Sequence, residues 1–166
     1  MINMKKNGKW KILVSTCLLW LKTRYDWKAK PQENLIEILK EKDFMFYCPE
    51  QWWWLPTPRI PAEIEYWKTA KDVLKWKGKI LNKNWEDVTK EYLKWAYDML
   101  ELCKKFNISV VVLKSKSPSC WYGKIYDWTF SWNLISWNWI TAELLEQNNI
   151  EILTEEDFKK LTKILW

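Results

Sequence analysis

The 166-residue sequence carries four cysteines, at positions 17, 48, 103 and 120, and no histidine. The missing imidazole excludes His-based catalytic triads, His–carboxylate metal sites and an imidazole general base. No CxxC or zinc-finger spacing occurs, which disfavours zinc held by a local stretch of chain. Cys48 runs into Pro49 and Glu50, and Cys120 follows Ser117, Pro118 and Ser119. Thiolates with such neighbours suit an iron–sulfur centre, because backbone and hydroxyl donors stabilise charge on sulfur.

The elements that must position these thiols alternate short apolar runs with helical patterns. That alternation predicts an α/β fold: a single three-layer domain over 1–166 with a short, mainly parallel, Rossmann-like sheet. Residues 11–18 (KILVSTCL) read as a first strand, 33–42 as a helix with Leu35, Ile36 and Leu39 on one face, and 43–47 (DFMFY) as a second strand. Prolines at 49, 56, 58 and 61 favour an extended loop, and 49–85 reads as irregular. Thr89 is the expected N-cap of a long helix, stapled by Val88 and Leu93, whose apolar face holds Tyr92, Ala96, Met99, Cys103 and Phe106. The continuous run 108–113 (ISVVVL) reads as a buried parallel strand. A loop over 114–137, a helix near 140–147, a strand at 150–153 and a last helix capped by Thr154 complete the chain.

This order gives three cysteines one address. Cys17 lies toward the carboxyl end of the first strand, Cys48 just past the second, and Cys120 in the loop after the third. Ligands of open parallel sheets bind at the carboxyl ends of the strands. Cys103 falls on the apolar face of the long helix and reads as core packing. Three protein thiolates would leave one iron of a cubane cluster without a protein ligand, a Lewis-acidic arrangement more than an electron carrier. A zinc site and plain buried cysteines are the alternatives that the residues themselves leave open.

The net charge is +6, yet only Arg24 and Arg59 among the 27 basic residues are arginines, and the lysines are dispersed. A solvated surface explains them, and a nucleic-acid-binding face is the less favoured reading. The apolar stretch before Cys17 is too short for a signal sequence and nothing reaches membrane-spanning length, so a cytoplasmic, reduced protein is expected.

Composition holds one anomaly: 16 Trp against 3 Gly, where average usage gives about 12 Gly in a chain of this length. Trp27 and Trp128 follow Tyr-Asp, while Trp85 and Trp139 follow Asn. Asp-Gly and Asn-Gly are strong turn signals, since glycine takes positive φ freely. Trp53 and Trp54 sit in the proline-bounded loop and Trp121 follows Cys120. We read most of the tryptophans as glycine positions, written as Trp because a UGA codon was translated under the wrong genetic code. Trp10, Trp52 and Trp166 have no clear turn context.

With glycine at those places the motifs KILVSTCLLW, CPEQWWWLPTPR, NWEDVT, LKSKSPSCWYGKIYDWTFSW and WNWITAELL resemble the small bacterial 2-thiouracil desulfurase family over about residues 10–158. The resemblance implies a [4Fe–4S] cluster on Cys17, Cys48 and Cys120, a catalytic carboxylate at Glu50 and a catalytic serine at Ser117. One departure is Thr23, where many members carry a further cysteine outside the ligand set. The implied activity is non-redox removal of sulfur from a small thiolated pyrimidine such as 2-thiouracil. The thiocarbonyl would be polarised at the open iron, Glu50 would activate water, and Ser117 would relay a proton. The competing readings are a non-enzymatic α/β module that binds RNA and keeps its cysteines as packing, and a cluster enzyme acting on thiolated tRNA.

Overall fold

The computed structural model describes residues 12–24, 26–40, 42–48, 58–117 and 119–165. Glu50, Tyr25, Pro118 and the tryptophans at 10, 52, 53, 54 and 166 lie outside the described residues.

Four strands form one all-parallel sheet in the order β2-β1-β5-β8: β1 (Ile12–Ser15), β2 (Phe44–Tyr47), β5 (Val110–Leu113) and β8 (Glu151–Thr154). Ile12 pairs with both Phe44 and Val110, and Val110 pairs with Glu151. Side chains alternate across a strand, so β1 and β5 each feed two cores. Ile12, Val14, Val110 and Val112 meet Leu35 and Leu39 of α1 (Glu33–Leu39) and Leu161 of α5 (Phe158–Leu165). Leu13, Val111 and Leu113 meet Ala96, Met99 and Leu100 of α3 (Thr89–Lys105) and Ala142 and Leu145 of α4 (Ile140–Gln147). Helices therefore cover both faces, giving the expected three layers, and each fully buried aliphatic side chain contributes about 1.5–3 kcal/mol. Cys103 is buried in the α3–α4 core, as its spacing predicts.

Several boundaries differ from the sequence reading. The first strand stops at Ser15, and Thr16–Leu19 turn as a 3-10 helix, so Cys17 sits in a turn rather than in the strand. The stretch read as irregular holds β3 (Ala62–Ile64), α2 (Ala70–Leu74) and β4 (Ile80–Asn82), with β3 and β4 antiparallel. Strands of three residues are too short to show periodicity, and the prolines just before them dominate the local signal. Thr69 and Asp72 close α2 with a reciprocal capping box. The loop after β5 similarly contains the hairpin β6 (Ile125–Tyr126) and β7 (Leu134–Ile135).

Neither expected threonine cap forms. Thr89 accepts a hydrogen bond from the Ile80 N–H (2.9 Å) and donates to Asp87, tying the helix start to β4, while Val88 stands at the cap position. Thr154 accepts from the Glu156 N–H and donates to Asp157, making the turn that ends β8 before α5 begins. No helix among the described residues is long and apolar enough to cross a membrane.

The tryptophans separate into two groups. Trp20, Trp27, Trp67, Trp76, Trp85 and Trp132 all have φ between 57° and 72°. The same six are the exposed tryptophans among the described residues, 53–71% accessible. An L-residue with a Cβ costs about 1–2 kcal/mol in the left-handed region, and an exposed indole recovers none of that by packing. Trp121, Trp128 and Trp139 do not take positive φ, so the turn argument fails for them. Trp139 (φ −75°) is extended residue immediately before α4 and is buried, with its indole N–H lacking a hydrogen-bond partner. That orphaned donor is a different misfit, on the order of 1–3 kcal/mol.

Replacing Trp27, Trp67, Trp76 or Trp85 by glycine is expected to stabilise the protein by about 1 kcal/mol each, and alanine at the same places is not. Denaturant unfolding measures this, and an alanine gain equal to the glycine gain would refute backbone strain as the cause. At the nucleotide level UGA is expected at these codons, and UGG would refute the decoding account.

Candidate active site

The chain leaves β1 in one direction to build β2 and, after its long excursion, in the other to build β5, so the strand order reverses between β1 and β5. Open α/β sheets bind ligands in the crevice at such a switch point, beyond the carboxyl ends of the strands. Ser15 ends β1, Tyr47 ends β2, Leu113 ends β5 and Thr154 ends β8. The residues that follow them make the rim: Cys17, Cys48, the 114–120 loop and Glu155.

Three of the four cysteines meet there, and all four are free thiols. Cys120 lies close enough to Cys17 to disfavour its ionisation, and Cys48 is subject to both. The turn carrying Cys17 is stitched down by the Lys30 N–H to the Cys17 carbonyl (2.9 Å) and the Gln32 N–H to the Leu18 carbonyl (3.1 Å). The Cys48 thiol donates to the Thr23 carbonyl at 3.8 Å. The Cys120 thiol donates to Ser117 Oγ at 3.3 Å, and Ser117 Oγ lies 3.1 Å from Ser119 Oγ. Thr141 Oγ1 holds the Ser119 carbonyl at 2.9 Å, fixing the loop against α4.

Burial decides the state of these sulfurs in the metal-free protein. It raises Cys17 from 9.0 to about 12 and pushes Cys48 and Cys120 upward as well. Opposing it at Cys120 are groups that can donate to the thiolate: the Ser117 hydroxyl, the Lys114 backbone N–H, and the Ser15 and Ser119 hydroxyls. Lys114 and Arg24 favour the thiolate of Cys17, and Arg59 that of Cys48. Both arginines of the chain thus serve this site. Arg24 is itself gripped by Asp26 through two 3.0 Å hydrogen bonds, a structural fork as well as a nearby charge.

The donor set fits an iron–sulfur cluster. Buried hydroxyls stand beside two of the sulfurs, Ser15 at Cys120 and Thr23 at Cys48, and each favours the thiolate of its neighbour. Hydroxyls, amides and cations converging on buried thiols supply what anionic sulfur requires. Among the described residues no three of His, Cys, Asp and Glu gather closely enough to hold a single metal ion. A cubane instead carries its thiolates at separate corners, so dispersed sulfurs suit it better than they suit zinc.

Of the residues singled out from the sequence, Cys17, Cys48, Cys120 and Ser117 share this rim, while Glu50 lies outside the described residues. Sequence reasoning missed Ser15, Arg59, Lys114 and Glu155. A lysine directly after VVVL reads as the solvated end of a strand, and only its partner from β8, 41 positions along the chain, explains its burial. The arginine count was the available signal for Arg59.

The raised thiol has a pH consequence for the metal-free protein. Its neutral form is favoured by folding, so the stability from Cys17 is fully present below pH 9 and is lost as the pH rises toward about 12. Wild type should therefore lose up to about 1.4 kcal/mol per pH unit more than Cys17→Ala across that window, read from unfolding midpoints. Parallel curves would contradict it.

Comparison with known proteins agrees with this architecture. The chain is 38% identical over 150 residues to the uncharacterized protein YbbK of Bacillus subtilis (strain 168), covering 90% of this chain and 99% of that protein. It is also similar to a solved structure described as the [4Fe-4S]-dependent thiouracil desulfidase TudS (DUF523Vcz), with a TM-score of 0.81 and 33% identity over 95% of this chain and 98% of that one. The family model for 2-thiouracil desulfurase matches residues 12–157, and the chain belongs to that family.

Proposed function

We propose that this protein is a [4Fe–4S]-dependent desulfurase that removes sulfur from a thiolated pyrimidine such as 2-thiouracil, with Cys17, Cys48 and Cys120 as the cluster's protein ligands. The observation that carries the reading is the meeting of three free thiols from three strand ends at the switch point, in a chain of the desulfurase family. Three ligands leave one iron of the cubane without a protein partner. When bound, the cluster supplies Lewis acidity toward a soft thiocarbonyl sulfur.

The chain's own residues supply the rest. Ser117 already faces the Cys120 sulfur at 3.3 Å, so its hydroxyl can turn to donate toward charge on sulfur and exchange a proton with Ser119 at 3.1 Å. Glu50, two residues past Cys48, is the proposed general base that takes a proton from water. The rim is screened from solvent by its own packing: Cys17, Ser117, Ser119 and Cys120 are all buried.

Anaerobic reconstitution with iron and sulfide tests the ligand set. Changing Cys17, Cys48 or Cys120 to serine should each abolish the broad brown absorbance, and Cys103→Ser should keep it. A wild-type protein that takes up no iron would sink the enzyme reading. Glu50→Ala is expected to retain iron while sulfide release falls about 10²–10⁴-fold, the usual range for loss of a general acid or base. Ser117→Ala should lower turnover without loss of iron. Undiminished turnover in either variant removes that residue from the mechanism.

A further inference from the structure

Lys114 is only 3% exposed, directly after β5. An ammonium ion so far from water is destabilising unless it is fully partnered. Its Nζ donates to the Ser115 carbonyl (2.7 Å), to Ser115 Oγ (3.1 Å) and to the Glu155 carboxylate. Glu155, the first residue after β8, also accepts from the Ser115 N–H (2.8 Å) and Ser115 Oγ (2.7 Å). The result is a closed, buried network joining the ends of β5 and β8.

The register that pairs Val14 with Val112 carries Lys114, two residues further along, alongside the turn that follows β1 and holds Cys17. The lysine's backbone N–H is bonded to Cys120, and its ammonium acts on Cys17, where Glu155 acts with the opposite sign. Stability alone gives little reason for this arrangement, because a buried ion pair is often no more stabilising than apolar residues of similar volume. A fixed charge beside a sulfur cluster does something an apolar pair cannot, since second-shell charge and hydrogen bonds tune such centres.

We propose that the Lys114–Glu155 pair is a positioning element of the desulfurase site, holding a partly compensated positive charge beside Cys17 and Cys120 that stabilises the more negative states of the sulfur centre bound there. The inference rests on Cys17, Cys48 and Cys120 being the cluster ligands. Lys114 touches no substrate in this scheme and acts through the sulfurs. Removing its charge makes an added electron less favourable, and removing the Glu155 charge makes it more favourable.

The test compares wild type, Lys114→Met, Glu155→Gln and Lys114→Arg, each reconstituted anaerobically. Iron and sulfide are counted per chain, and the midpoint potential is measured by mediated titration. Lys114→Met should shift the reduction equilibrium about tenfold toward the oxidised cluster, about 59 mV for one electron. Glu155→Gln should shift it in the opposite direction, and Lys114→Arg should leave it within threefold of wild type. Should Lys114→Met not fold, the direction of Glu155→Gln against Lys114→Arg still decides. Full iron content with unmoved potentials, or shifts of one sign in both neutral variants, overturns this inference alone. A wild type that binds no iron overturns the ligand assignment and this inference with it.

Discussion

All four strands of the main sheet run the same way, so their carboxyl ends share one rim, and the chemistry of this protein depends on that constraint. A parallel sheet must be covered on both faces, which the α1–α5 and α3–α4 layers accomplish. Once covered, the sheet leaves its ends as the place where loops meet. The reversal of strand order between β1 and β5 opens the crevice. Cys17 and Cys120 flank it, and Cys48 arrives from the neighbouring strand.

Bringing sulfurs to a buried rim creates an electrostatic problem that the surrounding residues answer. Burial favours neutral thiols, yet a thiolate is the form that binds metal. Hydroxyls at Ser15, Ser117 and Ser119, the Lys114 amide and the charges of Arg24, Arg59 and Lys114 all work against that penalty. They come from separate stretches of chain. Two of the charges have structural ties as well, Arg24 in its fork with Asp26 and Lys114 in its network with Glu155. The ties keep these groups in place before any ligand arrives.

Legibility followed the length and regularity of each signal. The unbroken VVVL run and the three-to-four spacing from Tyr92 to Cys103 are strong patterns, and both elements lie where they were expected. The three-residue strands β3 and β4 carry no such pattern and depend on the second core, where Ile64, Val73 and Ile80 pack against Tyr92 and Leu93 of α3. The two threonines expected as caps are drawn to other partners by tertiary contacts. Tryptophan context was informative at Trp27 and Trp85, where the backbone is left-handed, and uninformative at Trp139, where it is extended. An Asn or Asp before a residue marks a turn only if that residue takes positive φ.

The amino-acid sequence by itself determined the α/β class, the order of the cysteine motifs and the exclusion of imidazole chemistry. Those follow from local apolar periodicity and from composition, which need no partner elsewhere in the chain. Only the tertiary structure decided which charges stand beside the sulfurs. Lys114 and Glu155 are 41 positions apart, and Arg59 reaches Cys48 from beyond a proline-rich segment. Their protonation and burial depend on distances through space, and no local pattern in the chain encodes them.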